Sequence, residues 1–298
     1  MAGCGGDDTN PAVGTGTSAG VAGTLTWALD RRPTTLDPLY ARSAADLLAA
    51  RQVDEPLIAE LRAPFDETRI MPGLALSARP SRADTIWRVR LRPGVRFQDG
   101  ARFNASAVLA NVHRWLGAPA GRGLLGELLV DAPRPDLVRF ILPAADSHFD
   151  RVLASPRLGI VSPRAITQAA GAPLDPGRFP ESGTGPFELR ERSADRLLFA
   201  RNTDWWGTER DLGPGIDQLE LLAVPSGAER LAMLRDGSAR VAVLEPDELH
   251  AARRNPLLTT IPVPGEDGLG LERSVRGIPP GETAPPLSAV WVTALDAG

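Results

Sequence analysis

At 298 residues, 43% apolar and 23% charged, with a formal net charge of -4, the chain has the make-up of a globular protein with one large or two medium domains, and not of a disordered or fibrous one. The 33 basic residues are all arginine and are interleaved with 37 acidic ones, so no single-sign stripe exists to track a nucleic-acid backbone. No run approaches the roughly 20 consecutive apolar residues of a membrane-spanning helix, and the lone Cys4 has no partner for an internal disulfide.

Met1-Ala2-Gly3-Cys4 has the small residues of a bacterial lipobox, in which the cysteine is acylated. The charged and apolar regions of a leader are absent upstream, so coincidence and lipidation both stand as readings. Positions 5–23 hold Gly, Thr, Ser, Ala and Asp with almost no large apolar side chain, too little to offset the entropy of ordering, and read as a tether.

A β-prone run at 24–29 opens the folded part and is closed by Arg31-Arg32-Pro33. A helix is expected over 44–61, interrupted or restarted near Pro56. Trp87, Val89 and Leu91 alternate with Arg88, Arg90 and Arg92, the period of a strand with one wet face. Asn104 precedes Ala105, Val108, Leu109, Val112, Trp115 and Leu116 at helical spacing and is the expected N-cap. Further strands are expected at 137–142, as a hairpin at 187–191 and 196–200, at 216–224 and at 240–244. Ser226 and Glu229 form a capping box for a helix that Gly237 stops, and another helix follows at 245–253. The whole is mixed α/β without internal repeat.

Catalytic equipment is sparse. His113, His148 and His250 are the three histidines, and none accompanies a nucleophile signature. The zinc, dithiol and EF-hand motifs are absent, so no protein-built metal centre and no cofactor are expected. Gly121-Arg122-Gly123-Leu124-Leu125-Gly126 has dinucleotide-loop spacing, with Asp146 at the right distance for a ribose, yet it follows a helix where that fingerprint must follow a strand. A loop between helices is the expectation there. Trp205-Trp206 either stacks on a ligand or anchors a loop, and 183–187 is a glycine turn entering a strand.

Several segments, taken in order, resemble the family 5 extracellular solute-binding proteins, which include oligopeptide, dipeptide and nickel binders. They are Thr35-Leu36-Asp37-Pro38, Asp54-Glu55-Pro56-Leu57, Pro72-Gly73-Leu74-Ala75, the run from Trp87 through Arg92-Pro93-Gly94 to Asp99-Gly100, and Phe103-Asn104-Ala105. Later come Ile160-Val161-Ser162-Pro163, the Gly183-Thr184-Gly185-Pro186-Phe187 turn, Arg201-Asn202 with Trp205-Trp206, and the helix at 230–237.

The resemblance implies a periplasmic-binding-protein-like α/β fold of the class II type, a first lobe carrying an inserted α/β subdomain, with most of the second lobe missing. The expected parts are a lipoprotein-like tether at 1–23, a main lobe at 24–42 and 170–264, an inserted subdomain at 43–169, and an irregular tail at 265–298 that lacks the strand expected there and opens the second lobe. It also implies a monomer outside the cytoplasm, possible anchorage through Cys4, hinge closure around a peptide or other small solute, and docking to an ABC permease without chemistry. By position, Asp30, Arg31, Tyr40, Thr184 and Gly185 are the expected ligand contacts, whereas the carboxylates that hold a ligand amine belong to the missing lobe. A tethered lobe that serves only as an interaction protein is the alternative, with an enzyme last.

Overall fold

The computed structural model describes residues 21–61, 69–169, 182–208, 213–255, 258–263 and 271–276. Cys4, most of the expected tether and the expected opening of a second lobe near 285–295 lie outside these residues. In chain order the elements are β1 (Val21–Leu29), α1 (Ala44–Val53), β2 (Ile58–Leu61), β3 (Arg69–Pro72), β4 (Ala75–Pro80), β5 (Ile86–Leu91), α2 (Ala105–Gly117) and α3 (Pro119–Leu125). Then come β6 (Leu129–Arg134), β7 (Leu137–Ile141), α4 (Phe149–Leu153), α5 (Pro163–Ala169), β8 (Phe187–Arg192) and β9 (Arg196–Arg201). The last are β10 (Ile216–Ala223), α6 (Gly227–Asp236), β11 (Val241–Leu244), α7 (Pro246–Arg253), β12 (Leu258–Val263) and β13 (Leu271–Arg276).

β1 is the spine of a seven-stranded sheet in the order β12-β13-β11-β1-β10-β9-β8. It runs parallel to both β10 and β11, while the outer pairs are antiparallel. Parallel strands are covered on both faces, and β1 follows that rule. Leu25, Trp27 and Leu29 join Ala45, Leu48, Ala49 and Val53 of α1 in one core. Ala28 faces the other way, into a core with Leu231 and Leu234 of α6 and Ala252 of α7. Each large side chain buried this fully contributes about 1.5–3 kcal/mol.

A four-stranded antiparallel sheet, ordered β4-β5-β7-β6, forms a second layer with a core of its own. Trp87, Val89, Val138 and Phe140 pack inward against Val108, Val112 and Trp115 of α2, and Trp87 Nε1 donates to the Asp146 carbonyl at 2.9 Å. The Asn104 side chain accepts from Ala107 N at 3.1 Å, so the expected cap starts α2. Buried Asn111 on the same helix donates to the Val161 carbonyl at 2.8 Å and accepts from Val161 N at 3.0 Å, fastening the 160–163 segment to the layer.

The structure departs from the sequence expectations at four places. The helix expected over 44–61 ends at Val53, because Asp54 is extended and Pro56 disfavours helical backbone before it; Ile58–Leu61 form β2. Residues 119–125 form α3 where a loop was expected, with Pro119 in the first turn. Gly121 lets α3 approach α2, since a Cβ there would lie 2.2 Å from the Trp115 carbonyl oxygen. The tail, expected to lack a strand, contributes β13, paired antiparallel with β11 and β12. Its alternation of Leu271, Arg273 and Val275 is short and set among Gly, Pro and Glu, which masked it. α1, grouped on sequence with the inserted part, buries its apolar face on the seven-stranded sheet.

Candidate functional site

Because β1, β10 and β11 are parallel, their carboxyl ends lie at one edge of the sheet, where open α/β sheets bind ligands. β1 delivers Asp30 and Arg31 to that edge, β10 leads through Val224 and Pro225 into α6, and β11 leads through Glu245 into α7. The fully buried Arg230 of α6 holds this edge in shape. Its Nε donates to the Val243 carbonyl at 2.6 Å, and its Nη1 to the carbonyls of Val224 at 2.7 Å and Pro225 at 2.9 Å. Arg31 Nε donates to Asp30 Oδ2 at 2.7 Å, with the Arg31 side chain 67% exposed. That bond and the Asp30 charge, reinforced at longer range by Glu245 and Asp46, hold the Arg31 guanidinium more firmly protonated than usual, against a smaller opposing effect of burial.

A second cluster gathers where the two layers meet. Glu55 Oε2 accepts from both Trp206 Nε1 and Thr184 Oγ1 at 2.9 Å. The Arg92 guanidinium lies over the Trp206 ring at 4.1 Å, and Arg92 Nε donates to the Gly73 carbonyl at 2.9 Å. Burial pushes the Glu55 carboxyl up to about 7, against the bonds from Trp206 and Thr184 and the Arg92 charge. The glycine turn fits here for steric reasons: a Cβ on Gly183 would lie 1.9 Å from the Val53 carbonyl oxygen, and one on Gly185 would lie 2.5 Å from that of Gln52. Gly185 N donates to Val53 O at 2.7 Å, and Asn202 Nδ2 donates to Gly185 O at 3.0 Å. Gln98, from the turn after β5, donates through its backbone to Gly183 O at 2.9 Å and through its side chain to Phe187 O at 2.8 Å. Four of the quoted segments therefore converge on one carboxyl.

Tyr40 occupies a third setting. The buried Asp37 accepts from Leu39 N at 3.1 Å and pairs with Arg114 of α2, whose guanidinium lies 5.8 Å from the Tyr40 ring centre. The expected contacts are thus distributed: Asp30 and Arg31 at the sheet edge, Tyr40 beside the Asp37–Arg114 pair, and Thr184 and Gly185 buried in the Glu55 cluster. The tryptophan pair belongs to that cluster too, with Trp205 buried and the ring centres 5.2 Å apart. Glu55, Arg92 and Arg230 escaped sequence reasoning, although Glu55 stands in a quoted motif and Arg230 opens a quoted helix. His113, His148 and His250 are exposed. Among the described residues no group of three His, Cys, Asp or Glu side chains could hold a metal ion, and no helix is long and apolar enough to cross a membrane.

The model of the bacterial extracellular solute-binding proteins, family 5 Middle, matches residues 69–283. The glutathione-binding protein GsiB of Escherichia coli (strain K12) is 30% identical over 224 residues, which cover 72% of this chain and 41% of that protein. Among solved structures, the periplasmic binding protein DppA from Helicobacter pylori in complex with peptide STSA superposes with a TM-score of 0.69 at 21% identity, covering 82% of this chain and 51% of that one. A dipeptide binding protein from Pseudoalteromonas sp. SM9913 in complex with Met-Leu gives a TM-score of 0.67 at 19% identity, covering 80% and 51%. These structural likenesses show the α/β fold. The chain spans about two-fifths of the length of the curated relative and about half of the solved chains.

Proposed function

Since the chain belongs to the bacterial extracellular solute-binding proteins of family 5, we propose that it serves an ABC import system outside the cytoplasm, receives peptides or peptide-like solutes, and performs no chemistry on them. The observation that carries this reading is the pair at the carboxyl end of β1. Asp30 and Arg31 present opposite charges side by side, with Arg31 open to solvent. A peptide's C-terminal carboxylate can take the Arg31 guanidinium in a bidentate bond, while Asp30 holds that guanidinium in place. Arg230 gives the site a rigid floor by fixing the ends of β10 and β11. Tyr40, Thr184 and Gly185 act one step further away in this reading, through the shape of the lobe.

Closure of a second lobe over the solute, and docking to a permease, are the remaining parts of the proposal. A ligand favours closure by binding the closed form more tightly than the open one. The described residues make one lobe's share of the contacts, so the affinity expected of them alone is weak.

The test is calorimetric titration of the purified chain with mixed di- to tetrapeptides, beside the variants Asp30→Asn and Arg31→Ala. Heat that saturates at millimolar peptide and is lost in both variants supports the reading. Silence from the native chain at millimolar peptide overturns independent solute binding and leaves a lobe that acts only through contacts with other proteins.

A further inference from the structure

The outer face of the four-stranded sheet carries a row of arginines that packing does not explain. Arg79 on β4, Arg88 on β5 and Arg139 on β7 stand directly opposite one another on three adjacent strands, so their side chains leave the same face of the sheet. Asp131 on β6 completes the row, and its Oδ1 accepts from Arg139 Nε at 2.7 Å. Arg90 stands one row along, opposite Ser77 and Leu137. Arg79, Arg88 and Arg90 are all exposed and have no ion-pair partner among the described residues. Like charges facing each other across a ladder destabilise a sheet, so Arg79 and Arg88 bear a cost here with no ion pair in return among the described residues. On the other side of the row, Ile86, Ile141 and Leu129 line up across β5, β7 and β6, with Leu129 69% exposed.

We infer that this face rests on an anionic bilayer, its arginines meeting lipid phosphates while Leu129 and its isoleucine neighbours reach below the headgroups. Arginine binds phosphate through its planar fork of donors, and aliphatic side chains beside such cations suit the boundary between headgroup and acyl chain. The face is opposite in sign to the protein as a whole, whose net charge is -4, so an anionic surface orients the molecule sheet-first. A free phosphate would need an enclosing site, and these arginines are exposed. A protein partner would be expected to find an aromatic anchor at the centre, and no residue in these rows is aromatic. The solute site proposed above is on a different sheet, so the two readings stand or fall separately.

The experiment is flotation of the whole chain, carrying Cys4→Ser so that no acyl group contributes, with vesicles of phosphatidylcholine alone or mixed in equal parts with phosphatidylglycerol. Binding to the anionic vesicles only, weakened about tenfold by Arg79→Glu with Arg88→Glu and by raised salt, is the expected result. Arg235→Glu with Arg240→Glu makes the same change in net charge on another surface and leaves binding intact, while Leu129→Ser weakens it. Failure of the native face to bind anionic vesicles at low salt, or equal loss in the two double variants, overturns the inference. Circular dichroism of every variant separates loss of binding from loss of fold.

Discussion

Trp206 donates its indole Nε1–H to Glu55 Oε2 at 2.9 Å across 151 positions of sequence. Thr184 donates to the same oxygen, so one carboxyl ties the segment after α1, the glycine turn before β8 and the loop after β9. Those two bonds favour the charged carboxylate, and burial, the larger effect, favours the protonated one.

Glu55 titrates near 7 in the folded protein and, with an ordinary value of 4.5, well below that when unfolded. The folded state therefore binds the proton more tightly, and the stability this contributes is present at low pH and lost as pH rises from about 4.5 to about 7. The urea midpoint of the native protein should fall across that window and level off above it. Glu55→Gln keeps the acceptor oxygen and removes the titration, so its midpoint should run flat over the same window relative to the native one. Parallel curves for the two proteins would refute the assignment.

Gly183→Ala should destabilise by about 1–3 kcal/mol, the usual cost of forcing atoms into a filled site, because its Cβ would lie 1.9 Å from a backbone oxygen. Gly123→Ala is the matched control. Nothing lies within 4 Å of that Cβ, and alanine in a helix gains about 0.5–1 kcal/mol over glycine. Chemical denaturation of both variants should give shifts of opposite sign.

Asn111→Ala removes a donor and an acceptor that together satisfy both backbone groups of buried Val161. A loss of about 1–3 kcal/mol is expected for polar groups left unpaired in the interior. The more specific readout is hydrogen exchange at the Val161 amide, which should speed up more than exchange in β1.

Arg230→Met leaves the carbonyls of Val224, Pro225 and Val243 without their donor. Bonds from a charged donor are stronger than neutral ones, and a loss of about 3 kcal/mol or more in unfolding free energy is expected. If peptide heat is seen with the native chain, it should weaken in this variant even at temperatures where the fold persists, because the edge that carries Asp30 loses its support.

The sequence disclosed most where the cause is local. The alternation from Trp87 to Leu91 became β5, Asn104 became the cap of α2, and Gly237 ends α6 with a positive φ of 83°. The pairing around Glu55 was illegible for the opposite reason: its partners stand 129 and 151 positions away, and nothing in a run of neighbours says which distant hydroxyl or indole will meet a carboxyl. Arg230 looks like one more charged helix residue until β10 and β11 are seen to end beside it. Asp30 and Arg31 could be named because the first turn after a β-prone run is where such folds put ligands, but their mutual ion pair is a matter of side-chain geometry. The arginine row needed register, since Arg79 and Arg139 become neighbours of Arg88 only once the strands are aligned.

The parallel pairing of β1 has a consequence for how the polypeptide is born. Thr24 meets Gln218 and Trp27 meets Val241, so β1 has no strand neighbours until β10 and β11 have been synthesised. The sheet built from β4 to β7 closes within 75–141 and is free to form far earlier. Until β10 arrives, Leu25 and Trp27 ride on an open strand, the kind of segment that nascent chains must keep from one another. A holding chaperone that grips β1 would match the interval that the topology imposes, and translation stalled before β10 should yield a species that aggregates through β1.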